Sequence, residues 1–470
     1  MNPYLLLRTR TKEIFPECFP ADKDSRLERQ SKLQALRART LLSPEERLFL
    51  FRLCELYQRK GAQSLTWTVR KLAAETHSTS GVTSYVLQLL KNSESLVSDL
   101  FAATGGRPKK SYIFTPKFSD PISNRFDRRE YIPIRKLQKF LISAKSENNA
   151  GDKIGRASSW LLAVMLEHAD EKGRLDALSH SDIRDLTGMT SERLRSQIRT
   201  LMKHGFIRAV VPGANGHVFC RKANTVYHLN LFHPFFGASR ISGFHLVIHR
   251  CTYDQGHPER WLEGRTDDSD GVFVKLYLQD LAQEAVRKRV QSVLDYNVSE
   301  MLSRYKGFFG PFDGSAERVG KMTKRYHQSR KRKEQVELTI EGFVRMQSAC
   351  MDKESIEAWP SLTYDAFLEQ MTIDASSQAR IIRDLLKHCT NDLDGQALSD
   401  FRFSILPAEP FIGPTRVRAK SLRIDVFPTN TESVSERLWV CSNASGKGWQ
   451  IRKSPELIAL GKNGYEIVTQ

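Results

Sequence analysis

The stretch from Ala157 to Leu231 constrains this chain more than any other. It reads helix, short strand, helix, tight turn, helix, then a basic hairpin. The first helix carries Trp160, Leu161, Val164, Met165 and Leu166 and ends near Gly173, and Arg174 to Leu178 is a strand candidate. Asp182 to Leu186 forms the second helix and Gly188 makes the turn. Thr190 caps the third helix, Glu192 in its first turn complements the helix dipole, and Gly205 ends it. That third helix divides into two faces. Leu194, Ile198, Leu201 and Met202 fall at i, i+4, i+7 and i+8, the period of a buried stripe, while Arg195, Ser196, Arg199 and Lys203 point the other way. Phe206 to Val211 and Thr225 to Leu231 read as strands around a loop, Pro212 to Asn224, that holds Gly213, Gly216, His217, Arg221 and Lys222.

A helix buried on one side and cationic on the other suits the major groove of DNA. Arginine grips guanine O6 and N7 with two parallel bonds, whereas lysine meets phosphate as a point charge. An ordinary solvated helix has a similar outline but mixes its signs. From Met189 to Lys222, seven Lys and Arg face one acid, Glu192, and that bias favours DNA. The whole chain agrees. Its 470 residues carry a formal net charge of +18, an excess that a polyanion would offset, nucleic acid first and an anionic membrane surface second. Hydrophobic residues make up 40%, enough for real cores, and the length suits two to four domains.

An earlier module repeats the plan. Ser43-Pro44-Glu45-Glu46 is a helix start with Ser as N-cap, Pro at N1 and Glu at N3. The helix runs through Leu48, Leu50, Phe51, Leu53 and Leu56 to Lys60, and Gly61 stops it. Ser64 to Val69 alternates like a strand and Arg70 to Thr76 is a short helix. The next helix places Val82, Val86, Leu89 and Leu90 inward and Thr83, Ser84, Leu87, Gln88 and Lys91 outward. Leu96 to Phe101 and Ser111 to Thr115 flank a basic, Gly-rich loop with Arg107, Lys109 and Lys110. With only one charge on the outward face, the loop is expected to touch phosphates while the helix reads little sequence. The alternative is that this module packs against a second subunit through Leu87.

The expected organisation is therefore mainly α with α+β. It comprises a charged helical lead-in (1–43), the first module (44–115), a linker (116–156), the second module (157–231), a mostly helical region (232–400) and a small β-rich C-terminal domain (401–470). Gly271 to Tyr305 reads as largely one long amphipathic helix, a second candidate surface for a homodimer. Lys324 to Lys333, with Lys324, Arg325, Arg330, Lys331, Arg332 and Lys333, could track a phosphate backbone or form a solvated face.

Several classes of chemistry find little support. Seven scattered cysteines without a CxxC pair argue against a thiolate zinc site and suit reduced thiols in a cytosolic protein. His228 with His233, and His245 with His249, read as structural histidines, since the second pair lacks the glutamate of HExxH. No phosphate-cradling GxxxxGK[ST] loop occurs and no carboxylate cluster stands out, so no metal, cofactor or catalytic residue is expected. The apolar run Leu5 to Leu7 is too short for a signal segment, no membrane span is present, and a cytoplasmic, nucleoid-associated protein is expected.

The two modules, in element order and patterning, resemble winged helix-turn-helix domains such as those of bacterial transcription regulators. Two in tandem also resemble plasmid replication initiators, in which one module mainly dimerises and the other reads DNA repeats. The resemblance covers about a third of the chain. It implies double-stranded DNA as partner, with Ser191, Arg193, Arg195, Ser196, Arg199 and Lys203 along the recognition helix and His217, Arg221 and Lys222 in the wing. Transcription regulation is the leading expectation and replication initiation the second. A DNA-processing enzyme with a site in 240–400, or an RNA-binding module, is a further alternative.

Overall fold

A computed structural model describes residues 42–60, 64–65, 67–101, 109–115, 132–142, 154–216, 223–239, 241, 243–250, 271–304, 375, 378–386, 401–412, 418–428, 437–443 and 450–453. Helix and strand are mixed, and the chain divides into two units. One comprises residues 1–168, 180–206 and 233–240; the other comprises 169–179, 207–232 and 241–470.

In the first unit the elements are α1 (Pro44–Lys60), β1 (Ser64–Leu65), α2 (Val69–Glu75), α3 (Ser80–Asn92), β2 (Leu96–Phe101), β3 (Lys109–Phe114), α4 (Ile132–Ile142), α5 (Arg156–His168), α6 (His180–Thr187) and α7 (Ser191–Lys203). The start of α1 is a reciprocal capping box. The Ser43 N–H donates to Glu46 Oε2 at 2.7 Å, and the Glu46 N–H donates to Ser43 Oγ at 3.4 Å. The three short strands pair in the order β1-β3-β2, antiparallel throughout. Their sheet closes over a core of Leu50, Leu53, Leu72, Val86, Leu90, Leu96 and Phe114.

α5 is apolar all round because it is buried all round. Every residue from Ala157 to Leu166 is buried, and α1, α4, α6 and α7 all pack on it. Gln138 of α4 donates to the Ala163 carbonyl at 3.3 Å and to Glu167 at 2.9 Å. Below α7, Phe206 stacks on the ring of His233 at 3.9 Å, and Phe140, Phe235 and Phe236 pack edge-on around that pair.

α3 turns the expected Val82, Val86, Leu89 and Leu90 inward, but its buried face is wider than the sequence suggests. Thr83 and Leu87, expected outside, are buried at 0% and 5% exposure. Val82, Tyr85, Val86, Leu87, Leu89 and Leu90 form so wide an apolar arc that hydropathy alone does not fix the burial axis. Leu87 therefore belongs to this module's own core and offers nothing to a second subunit.

The second unit holds β4 (Arg174–Leu175), β5 (Ile207–Val211), β6 (Val226–Leu229), β7 (Phe244–Arg250), α8 (Gly271–Ala282), α9 (Glu284–Arg304), β8 (Phe401–Ile412), β9 (Arg418–Pro428), β10 (Arg437–Asn443) and β11 (Gln450–Lys453). β4, β6 and β5 form an antiparallel sheet in that order. The larger sheet runs β11-β10-β7-β9-β8, with β7 and β10 parallel and the other pairs antiparallel. The stretch 157–231 thus gives its helices to one unit and its strands to the other.

Two expectations change here. The 401–470 strands are not self-contained, because β7 lies at the centre of their sheet. Residues 271–304 are two helices separated at Gln283, not one rod. The apolar side of α9 (Val286, Val290, Val293, Leu294, Val298, Leu302) is buried against Phe244, Leu246, Ile248, Phe403, Ile405 and Ile424, so it is no free seam for a dimer. β8 is an edge strand, and α9 covers it. The Phe403 and Ile405 N–H groups donate to Ser303 Oγ at 2.9 Å and Ser299 Oγ at 3.0 Å.

Candidate nucleic-acid interface

α7 is locally self-starting and self-stopping. Thr190 adopts extended backbone, and its side chain accepts from the Arg193 N–H at 3.3 Å. Glu192 sits in the first turn and Lys203 in the last, as the helix dipole favours. Gly205, at φ +75°, turns the chain out of the helix. Leu194, Ile198 and Leu201 are buried, and Arg195, Ser196, Arg199 and Lys203 are exposed. Met202, expected on the inner face, is 44% exposed. It lies one step round from Leu201, outside the buried stripe of Leu194, Ile198 and Leu201.

The cations of this segment divide sharply. Arg195, Arg199 and Lys203 have no ion pair among the described residues. Arg193 is paired with Glu45 of α1, and Gln197 accepts a hydrogen bond from Ser158 of α5, so both are engaged within the protein. Arg208, counted in the basic excess from the sequence, is buried on β5 and pairs with Asp425 of β9. The seven-to-one bias therefore overstates the charge available to a partner.

The side chain of His180, at the start of α6, lies within electrostatic reach of Arg195. Burial, then the charges of Arg195 and Arg184, holds its ring below the usual histidine range. Arg184 is half-buried and reaches Asp185 at 3.4 Å and Ser181 Oγ at 3.4 Å. Ser191 is half-buried at the first position of α7. Lys91, in the last turn of α3, is exposed, with Ser84, Gln88 and Asn92 on the same side. Gln88 donates to Asn92 at 2.8 Å. Lys109 and Lys110 open β3 at the expected basic hairpin, where β2 and β3 pair from Leu96↔Phe114 to Phe101↔Lys109. Arg107, His217, Arg221, Lys222, Lys324, Arg325, Arg330, Lys331, Arg332 and Lys333 lie outside the described residues.

Two histidines of the pairs that the sequence offers, His233 and His245, bond within the protein. His233 donates from Nε2 to the His204 carbonyl at 2.8 Å, and its Nδ1 accepts from the Phe235 N–H at 3.1 Å, which fixes a neutral ring. His245 lies on a strand, not a helix. Its Nδ1 meets Asp425 at 2.7 Å, and its ring is edge-on to Phe232. Burial pushes the Asp425 carboxyl upward, but Arg208 and His245 outweigh it and hold the group below the usual carboxylate range. Among the described residues no group of three or more His, Cys, Asp or Glu could hold a metal ion, and no helix is long and apolar enough to cross a membrane. Burial pushes the Cys54 thiol up to about 12, which leaves it inert.

No family model, curated protein or solved structure matches this chain.

Proposed function

We propose that the protein binds double-stranded DNA in a sequence-specific manner, with α7 as the recognition helix of a winged helix-turn-helix, and that it acts in transcription regulation. One observation carries the reading. Arg195, Arg199 and Lys203 stand exposed, without an acidic partner among the described residues, on one side of a helix whose other side is buried. In this reading Arg195 and Arg199 contact base edges and Lys203 a phosphate. Ser196, exposed between the arginines, reaches the same groove.

The test begins with a duplex recovered by the full-length protein from a randomised library. Arg199→Ala should weaken binding to that duplex by about 1–3 kcal/mol, and Lys203→Ala should weaken all duplexes alike and reduce the salt slope by about one. Unchanged binding after the Arg195→Ala, Arg199→Ala double replacement would refute the assignment.

The exposed side of α3 favours a second reading, replication initiation. It carries Gly81, Ser84, Gln88, Lys91 and Asn92, a single charge, as expected of a module that reads little sequence beside one that reads much. Footprints over direct repeats at an origin support this role; one inverted repeat beside a promoter supports regulation.

A further inference from the structure

The tight turn between α6 and α7 is held from outside by residues that precede it by more than a hundred positions. Three contacts converge on it from the first turn of α1. Arg47, 6% exposed, donates through Nη1 to the carbonyls of Asp185 at 3.0 Å and Leu186 at 2.9 Å. Its Nε donates to the Leu42 carbonyl at 2.9 Å. Glu45 pairs with Arg193 on the first turn of α7. Gly188, at φ +70°, brings the turn so close to α1 that a Cβ there would lie 2.1 Å from the Leu42 oxygen and 2.7 Å from Arg47 Nε.

Each contact has a physical reason. The last carbonyls of a helix have no partner within it. At the end of α6 the Arg184 carbonyl takes the Gly188 and Met189 N–H groups, at 2.9 and 3.3 Å. The next two carbonyls, of Asp185 and Leu186, are the ones Arg47 takes. A guanidinium there also opposes the negative end of the α6 dipole. The clamp is itself stiff, because the Ser43–Glu46 capping box fixes the turn of α1 from which Glu45 and Arg47 project.

We infer that the first turn of α1 sets the pose of α7, and that Arg47 and Glu45 are positioning residues for DNA reading. The inference rests on α7 being the recognition helix. Arg47 touches no duplex; it fixes the turn from which α7 departs. Glu45 holds Arg193 against the protein, which leaves Arg195 and Arg199 as the arginines that select sequence.

The test uses the full chain, a library-selected duplex and a mixed-sequence duplex of equal length. Arg47→Met keeps the stem and removes the donors. It should lower affinity for the selected duplex about tenfold and change mixed-sequence affinity less than about threefold, with the salt slope unchanged, since no phosphate contact is lost. Arg47→Lys should recover part of the selectivity, because an ammonium can still donate to the two α6 carbonyls. Arg47 is buried, so Glu45→Gln, at a half-exposed site, is the second variant. Freeing Arg193 should raise mixed-sequence affinity and steepen the salt slope by about one while the preference for the selected duplex falls. A purely structural role would do neither.

Amide hydrogen exchange gives a readout without DNA. Arg47→Met should speed exchange across residues 185–195 and leave α3 and α9 as they were. If the wild type recovers no duplex from the library, the DNA reading fails and exchange alone judges the clamp. Unchanged selectivity in both variants, or unchanged protection of 185–195 in Arg47→Met, overturns the inference.

Discussion

His228 is a side chain whose surroundings oppose its charged form. It lies on β6 at 3% exposure, and among the described residues neither ring nitrogen has a hydrogen-bond partner. Burial, then the charge of Arg174, pulls its pKa down to about 3 against some opposition from Asp425. A depressed histidine is neutral in the folded state and protonates more readily when unfolded. Its stabilising effect is complete above the ordinary histidine value of 6.5 and drains away as pH falls toward about 3. The loss approaches about 1.4 kcal/mol per pH unit over that window as a ceiling. Denaturant titrations at pH 7 and pH 4 should therefore show His228→Leu gaining on the wild type at the lower pH. An unchanged difference between the two proteins would disprove it. Asp425 adds a loss of the same sign below the usual carboxylate range, because its charged form is the one held in place. At this scale the sequence was a partial guide. The exposure of Arg195, Arg199 and Lys203 was legible from period and sign. The engagement of Arg193 by Glu45, and of Arg208 by Asp425, was not, because no local pattern links residues so far apart in the chain.

Of the two helices at the candidate interface, α7 was the more readable and α3 the less, for one physical reason. α7 has a narrow apolar stripe between charged rows, so one axis satisfies it. α3 has apolar residues over most of its circumference, so packing decides. Even α7 was misread by one residue at Met202. Paired truncations check the observed register. Leu201→Ala should cost about 2–5 kcal/mol of stability, as for a buried leucine, whereas Met202→Ala should stay within about 0.5 kcal/mol, as at an exposed position. Thr190→Ala should cost about 1 kcal/mol through loss of the cap on the Arg193 N–H. Thermal or denaturant unfolding separates all three. β7 escaped sequence reading altogether. Phe244-His-Leu-Val-Ile-His249 is a short apolar run in which histidines four apart suggest a helical face. A central strand buried on both sides leaves no clean alternation to betray it.

At the level of the molecule, the mixed α and β character was legible and the partition of the chain was not. The strands after residue 400 announce themselves by composition, but β9 and β10 do not pair with each other. Each pairs with β7. A fragment spanning 401–470 should therefore lack the strand that joins its two halves, and circular dichroism and amide NMR should show it without a cooperative fold. A folded fragment would contradict the observed sheet order. The net charge of +18 misleads in a similar way. Some of the cations behind it are structural. Lys172 is buried in a pair with Glu300. Arg174 lies over the ring of Tyr296 at 4.6 Å and donates to the Ser292 carbonyl at 3.1 Å. Composition counts such groups as available, but the interior has already claimed them.

The central place of β7 also sets a timetable for biosynthesis. Phe244 must wait for Val426, and Leu438 must emerge before His245 has a neighbour on its other flank. Until β9 emerges, a ribosome-bound chain exposes an apolar ribbon with both hydrogen-bonding edges vacant, the kind of template on which intermolecular sheets grow. A stop codon anywhere between β7 and β9 would make that interval permanent, so such truncations should partition into inclusion bodies even when every helix upstream has formed.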